Sequence, residues 1–184
     1  MQRIPATTLD AAPDASQDTL RDITRRTGGL INIHATMASS PAVLAAYAGI
    51  SAAIAEHGSL SGRVREAVAL AVAATNRFDY CQAAHTRSGA AAGQSAEEMV
   101  QIRAGKDLPD QKVSAAVQVA RDAAAHDGYV ESTTWAAVAD AGWSEEELAE
   151  MFLPIIANVL TNYFNHYART DLDLPPAPAP APSI

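Results

Sequence analysis

The apolar residues of this chain recur at spacings of three and four, in segments separated by glycine and proline. In the segment 41–57, for example, Val43, Leu44, Tyr47, Ile50 and Ile54 share one face of a helix. No segment sustains the alternation of apolar and polar residues that is typical of a half-buried strand. The sequence therefore predicts an all-α fold.

Capping residues and helix breakers place the ends of the predicted helices. Ser95 and Ser144 each stand three residues before a glutamate, the capping-box pattern, and Pro41 follows a serine pair as a first-turn proline. Glycines at 28, 58, 93, 105, 128 and 142 end helices or separate them. We predict helices that begin near residue 14 or 16 and after residues 40, 61, 77 and 95, then over 110–126, 132–141 and 144–169, with a loop between residues 29 and 40.

The predicted organisation is one domain with two irregular ends. Residues 1–14 form an arm that Pro5 and Pro13 break, residues 15–173 form the domain, and residues 174–184 are a proline- and alanine-rich tail. The tail cannot be helical because proline lacks the N–H donor, so we expect extended chain. It either stays solvated or lies as a strap on a neighbouring subunit.

Charge and apolar patterning exclude several classes of protein. The net charge is -8 and the 13 lysines and arginines are scattered, which argues against nucleic-acid binding. The longest apolar run, residues 67–74, is about half of the roughly 18 residues that a membrane span needs. The N-terminal residues lack a signal-peptide pattern, so we expect a cytoplasmic protein without membrane contact. Because charged residues make up only 18% of the chain, we expect part of the surface to lie in homo-oligomer contacts.

Cys81 and His85 are the first candidates for chemistry. They are four residues apart on a predicted helix and therefore share one face. The helix begins only a few residues before Cys81, and both a helix N-terminus and a neighbouring imidazolium lower the pKa of a thiol. The alternative interpretation is a buried structural cysteine, which is common. A zinc site is a weaker alternative because no second ligand pair is present, and we expect neither a metal nor a cofactor.

A longer pattern surrounds this pair. Arg65-Glu66 is followed by a run of small residues over 67–74, by Asn76 and Tyr80-Cys81 at a turn, and by Ala84-His85-Thr86. This stretch closely resembles the core motif of the carboxymuconolactone decarboxylase family, in its alkylhydroperoxidase AhpD-like branch. Residues 37–44, 158–165 and 170–173 extend the similarity over most of the chain. The resemblance implies an all-helical subunit that assembles into trimers or hexamers.

The resemblance also implies a set of catalytic residues. The peroxidases of this family use a Cys-x-x-Cys pair, a histidine four residues after the second cysteine and a glutamate on the preceding helix. These roles fall on Cys81, His85 and Glu66, while the first cysteine falls on Phe78. The attacking cysteine is thus present and the resolving cysteine is missing. A catalytic cycle would need an external thiol to reduce a sulfenic acid at Cys81.

Three functions remain open at this point. The leading hypothesis is an AhpD-like oxidoreductase that reduces hydroperoxides through Cys81 with a Glu66–His85 proton relay. The second is a lyase, like the decarboxylase that names the family, acting on a small lactone acid through His85 and Glu66. Its substrate carboxylate would need a cationic clamp, for which the candidates are Arg63, Arg65, Arg77 and Arg87. The third is a non-enzymatic oligomeric binding protein with a degenerate site.

A polar stripe on the last predicted helix has no assigned role. Asn158, Asn162 and Asn165 are spaced by four and three and so lie partly on one face. Such stripes are more often solvated or interfacial than catalytic. The sequence does not choose between a solvated face, a pocket lining and a subunit contact for this one.

Overall fold

The computed structural model describes residues 2–179, and within that range it contains α-helices and no strand, so the all-α prediction is confirmed. The part of the predicted tail over residues 180–184 lies outside the described residues. The helices are α1 (Asp14–Thr27), α2 (Asn32–Met37), α3 (Pro41–His57), α4 (Gly62–Thr75), α5 (Asp79–Ala91), α6 (Ala96–Ala104), α7 (Gln111–Ala125), α8 (Ser132–Asp140) and α9 (Glu145–Ala168).

The predicted capping residues begin their helices as expected. Ser61 Oγ accepts a hydrogen bond from Val64 N at 3.3 Å at the start of α4. At α6, Ser95 and Glu98 form the reciprocal bonds of a capping box. Ser144 and Glu147 make the same pair of bonds at α9, at 2.8 and 3.1 Å. Local side-chain chemistry thus determines these three starts.

Helix α2 corrects the prediction of a loop between residues 29 and 40. It has only six residues, too few for a helical period to repeat; its N-cap residue, Ile31, makes no capping bond, and Asn32 N donates instead to the distant Asp173 Oδ2 at 2.8 Å. Its stability comes from burial instead: Ile33, Ala35 and Met37 are all buried, and α2 packs against α1 and α3. Tertiary packing, which no local pattern reveals, makes this segment helical.

The described chain forms two compact units. The first comprises residues 2–57 and 160–174, and the second comprises residues 58–159 and 175–179. In the first unit α1 packs against α2 and α3, and Leu20, Ile23 and Leu44 are buried. Its N-terminal arm is held by a bond from Arg3 N to Ala168 O at 2.7 Å. The prediction of one domain over residues 15–173 stays a prediction.

Helix α4 is the central helix of the second unit. It packs against α5, α6 and α7, and α8 packs on α7. The stretch of α4 from residue 67 to residue 73 is buried on every side, within a core that includes Val117 of α7 and Met151 of α9. This burial explains why the run of small residues shows no polar face.

Arg63 fastens the first turn of α4 to two neighbouring helices. Its guanidinium donates to Glu98 of the α6 capping box and, at 3.2 Å, to Asp110, the N-cap of α7. The backbone N–H of Ser95 and then Arg63 lower the pKa of the Glu98 carboxyl. The start of α4 is therefore tied to the starts of α6 and α7.

The described part of the proline-rich tail contacts its own subunit. Residues 175–179 are not helical, as predicted. The side chain of Arg103, in the last turn of α6, donates a hydrogen bond to the carbonyl of Pro178. The sequence predicts either a solvated tail or a strap on a neighbouring subunit, and neither prediction includes a contact of the tail with Arg103 of its own chain.

Candidate functional site

A turn of three residues joins α4 to α5. Phe78 N donates to Ala73 O at 3.0 Å, and Asn76 N donates to Val72 O at 2.9 Å. Between them Arg77 has a φ of 53°, in the left-handed region that residues other than glycine seldom adopt. So short a connection makes the two helices antiparallel neighbours, and Glu66 of α4 comes level with the middle of α5.

Glu66 and His85 meet across this helix pair. Oε2 of Glu66 lies 2.8 Å from Nδ1 of His85, and the two side chains are 25% and 22% exposed. An ionised carboxylate only accepts hydrogen bonds, so it makes Nδ1 the donor. The second nitrogen, Nε2, is then the basic one in the neutral ring. The pair is thus equipped to take up a proton and to return it.

Cys81 is the third residue of α5 and lies one helical turn before His85. It is only 2% exposed, and the neighbouring Tyr80 is 3% exposed. The position in the first turn places the sulfur near the positive end of the helix dipole, which stabilises a thiolate. The helix start that the sequence predicts for Cys81 is therefore correct, and the thiol is more buried than a surface nucleophile.

Phe78 occupies the N-cap position of α5 rather than its first helical turn. Its backbone is extended, with φ of -109° and ψ of 105°, and its side chain is half-buried. No side chain caps the helix here. A cysteine at this position would stand three residues before Cys81, at the same end of the helix. The chain itself, with one cysteine, forms no internal disulfide.

Sequence comparison finds a family similarity in the middle of the chain. Residues 41–125, which run from α3 to the end of α7 and include Glu66, Cys81 and His85, match the model of the carboxymuconolactone decarboxylase family. The match covers a little under half of the chain, and over these residues the chain is similar to the family. No curated protein matches the chain in sequence.

Solved structures share the fold of this protein at low sequence identity. A peroxidase-related protein of the alkylhydroperoxidase AhpD core from Ralstonia eutropha JMP134 is 20% identical, with a TM-score of 0.81 over 94% of this chain and 92% of its own. The debrominase Bmp8 is 16% identical, with a TM-score of 0.80 over 92% and 91%; a cysteine-to-alanine variant of it is in complex with 2,3,4-tribromopyrrole. A peroxidase-related protein from Silicibacter sp. TM1040 is 16% identical, with a TM-score of 0.75 over the same shares. The fold is AhpD-like.

The four arginines that are candidates for a carboxylate clamp differ in their contacts. Arg63 binds Glu98 and Asp110, and Arg65 Nη1 donates to Leu60 O at 2.5 Å. Arg77 and Arg87 are exposed. Two of the four candidates therefore already serve the start of α4.

The asparagine stripe of α9 is buried rather than exposed. Asn158 is 5% exposed, and Asn162 and Asn165 are fully buried. Asn158 Nδ2 donates to Pro154 O, the proline inside α9, at 3.0 Å. The stripe is therefore not a solvated face, because all three asparagines are buried within a single chain.

His34 is a buried polar residue. The sequence alone assigns it no role. Its Nε2 lies 3.3 Å from the hydroxyl of Tyr47, and the two rings lie 5.3 Å apart. Burial lowers the pKa of His34 to about 4, against an opposing effect of Asp173. His34 is therefore neutral at physiological pH. No local signal reveals this, because α2 was not predicted.

Beyond the α4–α5 helix pair, residues 2–179 present a cavity but no metal-binding cluster. Among these residues, no three histidine, cysteine or acidic side chains converge on a metal-binding position. None of their helices has the length and apolar character for crossing a bilayer. A cavity of about 360 Å³ lies at the start of α4, beside Arg63, Lys112 and Trp143, and its described lining does not include Glu66, Cys81 or His85.

Proposed function

We propose that this protein is a hydroperoxide reductase that works through a single cysteine. Cys81 is the nucleophile, His85 moves protons, and Glu66 orients His85. The observation that carries the proposal is the 2.8 Å contact between Glu66 Oε2 and His85 Nδ1, one helical turn from a cysteine in the first turn of α5. A nucleophile beside a base that a third group orients is the recurring arrangement for covalent catalysis.

The first step oxidises the cysteine. Nε2 of His85 accepts the thiol proton, and the thiolate attacks the terminal oxygen of the hydroperoxide. The S–O bond forms as the O–O bond breaks, so sulfur loses two electrons and the leaving alkoxide takes a proton from the imidazolium. The products are an alcohol and a sulfenic acid at Cys81.

The second stage needs two external thiols. The first attacks the sulfenic acid, which releases water and leaves a mixed disulfide with Cys81. The second attacks that disulfide, releasing an oxidised thiol pair and restoring the Cys81 thiol. Phe78 stands where an internal resolving cysteine would stand, so monothiols are the expected reductants.

The lyase hypothesis has one observation in its favour. The Glu66–His85 pair is about a quarter exposed, whereas Cys81 is buried, so acid–base chemistry on a small acid would not require the sulfur. Against it, Arg63 and Arg65 are bound elsewhere and do not form the carboxylate clamp. The reductase therefore remains the better supported function.

Turnover in the presence of a monothiol tests the proposal. Wild-type protein, Cys81→Ser and the matched serine variant Ser88→Ala are assayed with a small organic hydroperoxide and glutathione. The reductase consumes two thiols per hydroperoxide, and Cys81→Ser abolishes the reaction while Ser88→Ala, an exposed residue of the same helix, keeps it. Consumption that is equal in wild type and Cys81→Ser contradicts the proposal.

A parallel assay separates the alternatives. The lyase requires loss of carbon dioxide from a small lactone acid, with activity retained in Cys81→Ser and lost in His85→Ala. A brominated pyrrole is included because Bmp8, which shares the fold, is a debrominase. Thiol-dependent bromide release without hydroperoxide reduction would replace the proposed substrate and keep the nucleophile.

A further inference from the structure

Glu150 of α9 holds the loop that leads into α4. Its Oε2 accepts hydrogen bonds from Ser59 N at 2.7 Å and from Ser59 Oγ at 2.6 Å, and its Oε1 accepts one from Leu60 N at 3.1 Å. Burial acts to raise the pKa of Glu150, but these bonds and the charge of Arg65 bring it below its usual value. The carboxylate is thus ionised and saturated with donors from a single short loop.

Arg65 holds the same loop from the other side. Its Nη1 donates to Leu60 O at 2.5 Å, so the side chain folds back from the second turn of α4 onto the residue that precedes its N-cap. Leu60 therefore donates its N–H to Glu150 and accepts through its carbonyl from Arg65. Glu150 and Arg65 carry opposite charges, so each of their hydrogen bonds with Leu60 is charge-assisted.

Glu66 follows Arg65 directly in the chain. The position of its carboxylate against His85 depends on the register and tilt of the first two turns of α4. The N-terminal end of these turns is held by Arg63 and by the contacts of Glu150 and Arg65 with the loop. A hydrogen bond of 2.8 Å tolerates little displacement before it weakens. Supporting contacts of this kind are what keep a catalytic pair in productive geometry.

We infer that Glu150 and Arg65 are positioning residues for Glu66, acting through the loop at Ser59 and Leu60. This inference rests on the proposed function for its effect on activity, but its structural effect is independent of it. Glu150 lies on α9, outside the residues 41–125 that match the family model.

The test compares variants that differ in one property. Glu150→Ala removes charge and acceptors, and Glu146→Ala, the same change at an exposed glutamate of the same helix, is its control. Arg65→Met removes the donor, whereas Arg65→Lys retains one and should rescue. We expect Glu150→Ala and Arg65→Met to slow alkylation of Cys81 at pH 7 on the order of tenfold in protein that is still folded.

Two further results distinguish positioning from general stability. In a Glu66→Gln background, Glu150→Ala should slow alkylation no further, because Glu150 acts only through Glu66. A crystal structure of Glu150→Ala should show Glu66 Oε2 and His85 Nδ1 more than about 3.5 Å apart. The inference is overturned if the effects of Glu150→Ala and Glu66→Gln on the alkylation rate add fully. It is also overturned if the Glu66–His85 contact is unchanged in that structure. A wild-type Cys81 that never reacts defeats the proposed function instead, and the crystal structure still decides the inference.

Discussion

His85 Nδ1 lies 2.8 Å from Glu66 Oε2, a contact between residues 19 positions apart on two antiparallel helices. It turns an imidazole into an oriented base, because the carboxylate holds the Nδ1 proton and leaves Nε2 to act. Cys81 lies one turn away on the same helix as His85. The chemistry of the site therefore depends on the packing of α4 against α5.

Phe78→Cys is expected to create a dithiol site. The new sulfur stands at the N-cap of α5, three residues before Cys81, and dithiol reductants exchange with a disulfide that the wild type cannot form. Dithiol-dependent peroxide turnover should rise, and intact mass should show the loss of two hydrogens on oxidation. Since the ring is half-buried, the free energy of unfolding should fall by about 1 to 3 kcal/mol.

His85→Ala or Cys81→Ser added to Phe78→Cys should remove this gain. High dithiol-dependent turnover in the wild type would contradict the account of the missing cysteine. A variant that forms the disulfide without gaining activity would show that the Glu66–His85 pair does not move protons for the thiol.

The buried His34 is expected to make the protein less stable below neutral pH. Its pKa is about 4 in the fold and 6.5 ordinarily, so between these values the unfolded chain binds a proton that the folded chain does not. The free energy of unfolding should therefore fall as pH drops from 6.5 to 5, by at most about 1.4 kcal/mol per pH unit. His34→Gln should flatten this slope, while the exposed His57→Gln should not. Equal slopes in wild type and His34→Gln would refute the assignment.

Gly89→Ala should destabilise the protein although alanine favours helices. A Cβ at Gly89 would overlap Oε1 of Gln94 and lie 3.1 Å from Met99 Sδ. Moving Gln94 breaks its hydrogen bond to Arg63 O, so we expect a loss of about 1 to 3 kcal/mol in urea unfolding. Gly49→Ala on α3, where nothing lies within 4 Å, should instead stabilise by about 0.5 to 1 kcal/mol. Equal effects at the two glycines would contradict the packing of α5 against α6.

The protein is expected to be a trimer or a hexamer in solution. Only 18% of residues are charged, and large apolar side chains such as Trp135, Phe152 and Tyr167 are exposed on the single chain. Light scattering should return a multiple of the 19.2 kDa chain mass across micromolar concentrations. A value equal to one chain throughout would dispose of this prediction.

Local chemistry made most of the helices predictable from sequence. Ser61, Ser95 and Ser144 cap the helices that follow them, and the spacing of Cys81 and His85 places them on one helix face. Helix α2 was not predictable because six residues carry no period and its stability comes from burial.

The same distinction applies to the candidate site. Glu66 reaches His85 only because α4 and α5 pack antiparallel. Local sequence patterns therefore did not distinguish Glu66 from a surface glutamate, and only the family resemblance indicated a catalytic role. Glu150 had no signal at all, since it meets Ser59 across 91 positions of sequence. Contacts of this range depend on the assembled fold, and no spacing rule reveals them.

Trapping of the oxidised cysteine tests the central claim most directly. Folded wild-type protein is treated with a small hydroperoxide in the presence of dimedone, and Cys81 is examined by mass spectrometry beside His85→Ala and Glu66→Gln. We expect a dimedone adduct at Cys81 in the wild type, formed at least about tenfold more slowly in both variants. A Cys81 that stays unmodified until the protein unfolds, or that reacts equally in all three proteins, would contradict the account.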